Sequence, residues 1–413
     1  MKPIQANLSV YRIRFKANLI LLVCTTAVLS SLLQCHNKTS QQSATRQQIV
    51  FANEVDAITR DYQLPGLTAA YIIRDDAVRS YASGWADREA RLLMQTNSRM
   101  LAASIGKGFI GALVLDLVRE GKLDLDTPVS RYLGRYEWFD RLANHTTITL
   151  RHLLTHSAGI ADHVHNAEFA RAFQKVIQQQ RANISPQELV TYILDKPALF
   201  VPGQGFQYSD TGYILVGLVI QEVTGQDPLL AVQRRFLEPL HLIDTAPSNS
   251  SSLARLASGY LSLNNPYGLA PKTTVKPGIM SWNPTMEWTG GGFISTAHDL
   301  AIWGKMLYEG RALEGDYLKE MLRSVPVRPG TRYGIATMVQ DQSDGHFALG
   351  HRGWIPGTCS SMQYYPHHRI VISFQTNTDV GLVGQKSAAM AAMESRLLRA
   401  LVPEDPGTRN EKP

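Results

Sequence analysis

Cysteine is nearly absent from this 413-residue chain: there are three, and Cys24 and Cys35 fall in the first 35 residues. Only Cys359 is left for the folded body, so no disulfide can form within it and the fold must hold without staples. Cys359 carries no local signature of a reactive thiolate and reads as a buried structural thiol. Runs of Lys and Arg with interleaved aromatics are also missing, which removes the footprint of a nucleic-acid partner. Lys2, Arg12, Arg14 and Lys16 supply four of the six net positive charges, and no acidic residue precedes Cys35. The chain has no Gly-x-Ser-x-Gly, so the serine elbow between strand and helix is excluded. It has no His-Glu-x-x-His, so His152, His156, His163 and His165 are not read as metal ligands, although His152 and His156 are four apart. Gly290-Gly291-Gly292 lacks the Lys-Ser/Thr of a phosphate loop and reads as tight backbone near a cleft. No cofactor is expected.

What is present begins with an export signal. The basic stretch ends at Lys16, and Leu19 to Leu33 is a mostly apolar run, short for a membrane span. It ends at Leu32-Leu33-Gln34-Cys35, similar to a bacterial lipoprotein box except that Gln34 stands where a small residue is usual. Residues 1–35 are therefore expected to be a signal and 36–48 a polar tether. An exported protein is expected, periplasmic or anchored in the membrane through a lipidated Cys35.

With 44% hydrophobic residues the chain can bury a large core. Helical spacing of Phe51, Val55, Ile58 and Tyr62 ends at Pro65-Gly66. Leu67 to Ile73 and Val78 to Ala82 read as a hairpin about Asp75-Asp76. From about 123 to 260 the pattern is mostly helical, with candidates at Leu150 to Leu154, Ala167 to Gln179, Pro186 to Leu194 and Tyr213 to Thr224. Later come a helix over Asp299 to Tyr308, strands at Tyr333 to Val339, Ser361 to Tyr365 and Ile370 to Gln375, and a helix over Gln385 to Leu401. The fold expected is α+β: an antiparallel sheet built from both ends of a body over 49–403, flanked by helices, with an all-helical subdomain inserted. Residues 404–413 read as a loose tail.

Ser104-Ile105-Gly106-Lys107 is the only Ser-x-x-Lys in the chain, and it opens the apolar run Phe109 to Val118. Residues three apart at a helix start share one face. A neutral amine there can take the proton of a serine hydroxyl. The helix N-terminus suits an oxyanion. About one such tetrapeptide is expected by chance in a chain this long, so the motif needs company. Tyr208-Ser209-Asp210, the only Tyr-x-Asp, precedes an apolar helix. A Tyr beside a Lys can shuttle protons, while Ser209 or Asp210 can equally serve as a helix cap. His351-Arg352-Gly353 lies before a strand-like run; its glycine permits close approach of a substrate, and a glycine-rich surface turn is the alternative.

These three motifs, in this order, resemble those of the serine β-lactamase-like hydrolases: DD-peptidases, class C β-lactamases, related esterases and D-aminopeptidases. Glu120 to Asp126, Ile148 to Gly159 and Gly290 to Leu300 are also similar to the family, and the likeness runs from about residue 50 to 400. The resemblance implies a β-lactamase/DD-peptidase-like fold with Ser104 as acylated nucleophile. Lys107 and Tyr208 would share the acid and base work, and the N–H groups of Ser104 and Trp354 would form the oxyanion hole. Asp210 would face the acyl side chain, His351 and Gly353 would line the opposite wall, and Arg352 or His351 would meet a terminal carboxylate. Asp210 stands where Asn is usual, and His351 where the β-lactamases carry Lys, which argues against strong β-lactam hydrolysis. A D-alanyl-D-alanine carboxypeptidase-type peptidase on cell-wall peptides is the expected function. An esterase, a D-amino-acid amidase, a weak β-lactamase and a non-catalytic penicillin-binding-like module are the alternatives. The expected partner is a small peptide, ester or β-lactam.

Overall fold

Continuous apolar runs at both ends of the body pair with each other rather than with their sequence neighbours alone. The computed structural model describes residues 45–402 apart from 180–181, 266 and 385–387. The expected signal and the tail therefore lie outside the described residues, as does most of the expected tether. A helix covers 45–61, reaching into the last residues of the expected tether.

Nine strands form one antiparallel sheet: β1 (Gly66–Ile73), β2 (Arg79–Asp87), β3 (Leu92–Leu93), β4 (Val325–Arg328), β5 (Thr331–Gly334), β6 (Thr337–Asp341), β7 (Phe347–Ile355), β8 (Thr358–Tyr365) and β9 (Ile370–Thr376). Their order is β3-β2-β1-β9-β8-β7-β6-β5-β4. The N-terminal hairpin is joined to the C-terminal strands through β1 and β9, with Ala69 opposite Phe374. β1, β8 and β9 are buried on both faces, so none of them alternates apolar with exposed polar residues, and β8 and β9 bury Ser360, Ser361, Gln363, Ser373 and Gln375.

Four helices matter for the site: α1 (Lys107–Arg119), α2 (Asp210–Thr224), α3 (Ala297–Tyr308) and α4 (Ala389–Leu401). α3 packs on β1, β8 and β9, and α4 packs on β8 and β9. α1 is apolar on all sides and buried, as such a helix must be. Phe109 stacks on Trp303 of α3 at 4.3 Å between ring centroids. Helices from Ser130 to Val232 lie in sequence between the two halves of the sheet, α2 among them. The residues from Glu54 onward cluster as one compact unit.

Two expectations are corrected. Tyr333 to Val339 is not one strand: β5 and β6 form a hairpin about Ile335-Ala336, with Ala336 at φ 51°. Its two central residues are neither Gly, Asn nor Asp, and only Gly334 at the end of β5 hints at it. His351-Arg352-Gly353 precedes β8, as expected, but it is not a surface turn: it lies within β7, paired to Met362, Ser361 and Ser360 of β8. Gly350 and Gly353 weaken the strand signal there.

Candidate active site

Ser104 sits in a single 3₁₀ turn, Ala103–Gly106, that runs straight into α1. Ala103 holds φ at 50°, a left-handed conformation that costs a non-glycine residue about 1 kcal/mol or more. The turn is held by close approach on two sides. A Cβ on Gly353 would fall 2.5 Å from the Ala102 carbonyl oxygen, and one on Gly291 would fall 2.5 Å from that of Ala103. Glycine is required at both places so that β7 and the Gly290–Gly292 segment can pass beside the serine.

Lys107, the first residue of α1, is completely buried. Its ammonium donates to Ser104 Oγ at 3.1 Å, to the Asp210 carboxylate and to the Gly290 carbonyl oxygen. Its nitrogen also lies 5.2 Å from the Tyr208 ring centroid and 5.3 Å from that of Tyr213. Burial, the largest single influence, would lower the lysine pKa, but the charge and hydrogen bond of Asp210, together with Tyr208, outweigh it and raise the value. The resting lysine is thus an ammonium, not the neutral amine that Ser-x-x-Lys suggested, because a carboxylate stands where Asn is usual.

Ser209 caps α2 by accepting from the Gly212 N–H, so the two readings of the Tyr208 cluster divide between neighbours. Ser209 is the cap, and Asp210 turns to Lys107. The Tyr208 hydroxyl is buried against Ser104 and Lys107 without a hydrogen bond of good geometry. Burial pushes its pKa up to about 12 against the pull of Lys107, so it rests as a phenol.

A chain of hydrogen bonds fixes the wall behind Tyr208. The Ser209 N–H donates to His156 Nδ1 at 3.2 Å. That leaves His156 Nε2–H to donate to Tyr333 Oη at 3.2 Å. Tyr333 then donates to His351 Nε2 at 2.7 Å, and His351 Nδ1–H donates to the Arg352 carbonyl at 2.5 Å. The tautomers follow from the network, and both imidazoles are neutral. Burial, with the charge of Lys107, pushes His351 down to about 3 and His156 well below its usual value. His156 also packs against Tyr208, with ring centroids 4.0 Å apart and the planes tilted by 32°.

Alternation along β7 separates the remaining candidates. His351 and Gly353 face Ser104, and Arg352 faces α4. The Arg352 guanidinium is bound by Glu394 through Nε at 2.7 Å and a terminal nitrogen at 2.5 Å. It does not line the cleft, which corrects its expected contact with a substrate carboxylate. Trp354 stands at the rim, with its indole N–H donating to Asp379 at 2.8 Å. Of the other histidines, His152 completes the cap of helix Leu150–Leu154 with Thr149, and His163 bonds Thr211 Oγ1 at 2.9 Å. No three metal-ligating side chains converge among the described residues.

Beside the Lys107 cage opens a pocket with about 640 Å³ of empty space, part of it open to solvent, and Asp210 and Gly290 belong to both. Phe169, Phe173, Tyr267 and Trp282 wall it, with Glu287 and Trp354 also facing in. Sequence reasoning missed His156, Tyr333, Glu287 and these aromatics. By sequence His156 is weighed only as a metal ligand and as part of a stretch similar to the family, and the others carry no local motif.

The model of the family described as Beta-lactamase matches residues 51–396. Esterase EstB of Burkholderia gladioli is 30% identical over 193 residues, 46% of this chain and 48% of its own, so the match spans about half of that esterase. A penicillin-binding protein of Bacillus subtilis is 22% identical over 82% of this chain and 74% of its own. Among solved structures, a D-stereospecific amidohydrolase from Streptomyces sp. superposes with a TM-score of 0.70 at 26% identity, covering 86% of this chain and 98% of its own. A D-amino acid amidase from Ochrobactrum anthropi SV3 has the same fold, with a TM-score of 0.70 at 22% identity over 85% and 98% of the two chains. With the sheet, the Ser104-Lys107 pair and a family match over nearly the whole described body, this chain belongs to the Beta-lactamase family of serine hydrolases.

Proposed function

We propose that this protein hydrolyses small amides or esters through an acyl-enzyme on Ser104. The observation that carries the reading is the buried Lys107 bonded at once to Ser104 Oγ and to Asp210, at the mouth of an aromatic pocket. In acylation Ser104 Oγ bonds to the carbonyl carbon and the bond to the leaving nitrogen or oxygen breaks. The serine proton passes to Lys107 in its deprotonated form, and Tyr208 protonates the leaving group and is re-protonated from Lys107. Water then repeats the cycle on the acyl-enzyme and regenerates Ser104. Because Lys107 rests as an ammonium, the rate rises with pH as that proton is lost.

The D-alanyl-D-alanine peptidase reading asks for a cation to hold a terminal carboxylate. Arg352 is engaged by Glu394, and no Lys or Arg lines the pocket. This favours an amidase or esterase, and the Streptomyces amidohydrolase, similar over most of both chains, supports amide chemistry. Export of the protein and lipidation at Cys35 are proposed on the apolar run Leu19 to Leu33 and the box that follows it.

The test is a side-by-side assay of the purified body on an amino-acid amide, a simple ester, a D-alanyl-D-alanine peptide and a chromogenic β-lactam. Faster turnover of amide or ester is expected. Preference for the D-alanyl-D-alanine peptide would overturn the choice made here.

A further inference from the structure

We infer that the pocket beside Ser104 is a binding site for a protonated amine on the acyl half of the substrate, with Glu287 as its counter-ion. The inference rests on the acyl-enzyme reading above, because it names what the pocket holds while Ser104 reacts.

Among the described residues Glu287 stands apart from the other recessed acids, of which Asp162 accepts from Thr211 and Asp299 from Thr245. Its neighbours in kind are compensated: Glu394 binds Arg352, Asp87 binds Lys272, and Asp116 binds Arg119 and Arg235. Glu287 faces the pocket and has no ion pair or hydrogen bond among the described residues. A recessed carboxylate without a partner is costly and is kept where something supplies the missing charge. Burial, and then the charge of Asp210, push its carboxyl up to about 7. A bound cation would return it to the ionised form. The pocket offers nothing to an anion: its lining includes Glu287 and Asp210 and no Lys or Arg, and Lys107 is already neutralised by Asp210.

The walls say what the amine is attached to. Phe173 meets Tyr267 edge to face at 5.7 Å and Trp282 at 6.1 Å, and Tyr267 reaches Trp354 at 6.5 Å between centroids. Such a lining fits an aromatic or bulky aliphatic group, and its faces favour a nearby ammonium. Trp282 is 3% exposed and its indole N–H has no acceptor, a second unpaired polar group in the same pocket. The substrate class is therefore an amide or ester of an amino acid with a free amino group and a large apolar side chain. An ammonium here would share Asp210 with Lys107 and repel the lysine, so binding itself would favour the free amine that Ser104 needs.

The experiment measures binding of 2-phenylethylamine, and of the neutral 3-phenylpropan-1-ol, by calorimetry to the wild type, Ser104→Ala and Glu287→Gln. Labelling of wild-type Ser104 by a fluorophosphonate is scored in parallel, and thermal melting confirms that each variant is folded. The amine is expected to bind the wild type and Ser104→Ala alike, at least tenfold tighter than the alcohol. Glu287→Gln is expected to erase that preference. Equal affinity for amine and alcohol, or a preference that survives Glu287→Gln, overturns the site while labelling of Ser104 leaves the hydrolase reading standing. Amine binding without labelling has the reverse meaning: the site stands and the hydrolase reading falls.

Discussion

At the scale of single residues, one carboxylate sets the chemistry. Asp210 holds Lys107 as an ammonium by direct contact, and Lys107 in turn bonds Ser104. Replacing Asp210 by Asn removes the charge that raises the lysine pKa, so the free amine forms at lower pH. The ascending limb of the pH profile of kcat/KM is expected to move down by about one pH unit or more in Asp210→Asn. A limb that stays in place would mean that Lys107 is not the group being titrated. Tyr208 has a different part, since its phenol is held protonated. Tyr208→Phe is expected to slow acylation on the order of a hundredfold, read as the rate of Ser104 labelling by an ester. Ser104, Lys107, Tyr208 and Asp210 are legible in the sequence because each motif lies within one short segment. Glu287 and Tyr333 are not, because only the folded chain brings residues from 208, 287, 333 and 351 around one lysine.

At the scale of elements, β7 shows how a strand sorts three adjacent residues into two roles. His351 and Gly353 reach the site, and Arg352 ties the sheet to α4 through Glu394. Arg352→Met leaves a largely buried carboxylate unpaired and is expected to cost about 3 kcal/mol of stability. Substrate ranking should not change, and a shifted ranking with unaltered melting would return Arg352 to the cleft. The helices were readable to within a few residues wherever a cap marks the start, as at Thr149, Ser209 and Thr296. The strand bearing His351 was not, since its glycines serve close packing rather than strand propensity. The β5–β6 turn was missed for the opposite reason: Ile335 and Ala336 look like strand and are held in a turn by tertiary contacts, among them the bond from the Ile335 N–H to the Met321 carbonyl.

At the scale of the molecule, the site is built on buried titratable groups whose effects on stability oppose one another. Burial holds His163 at about 4 and His351 at about 3, below the ordinary imidazole value near 6.5. The unfolded chain takes up protons below about 6.5 that the folded protein refuses, so this stability is full above that pH and is lost as pH falls toward 4 and 3. His163 alone accounts for about 3 kcal/mol over that window. Glu287, raised to about 7, runs the other way: the folded form keeps its proton to higher pH than the unfolded chain, so stability drops as pH rises from about 4 to 7. Glu287→Gln removes that penalty. Its melting temperature minus that of the wild type is expected to grow from pH 5 to pH 8, and a difference independent of pH would show that Glu287 is not held in the raised state. A pocket that lowers stability at neutral pH is consistent with a group kept for binding rather than for folding.

The central claim is that Ser104 becomes acylated. Mass spectrometry of the intact protein after reaction with a fluorophosphonate or a slowly hydrolysed ester, followed by peptide mapping, tests it directly. One adduct on the peptide holding Ser104, absent in Ser104→Ala, is the expected result. An adduct mapped to another residue, or one that persists in Ser104→Ala, would contradict it.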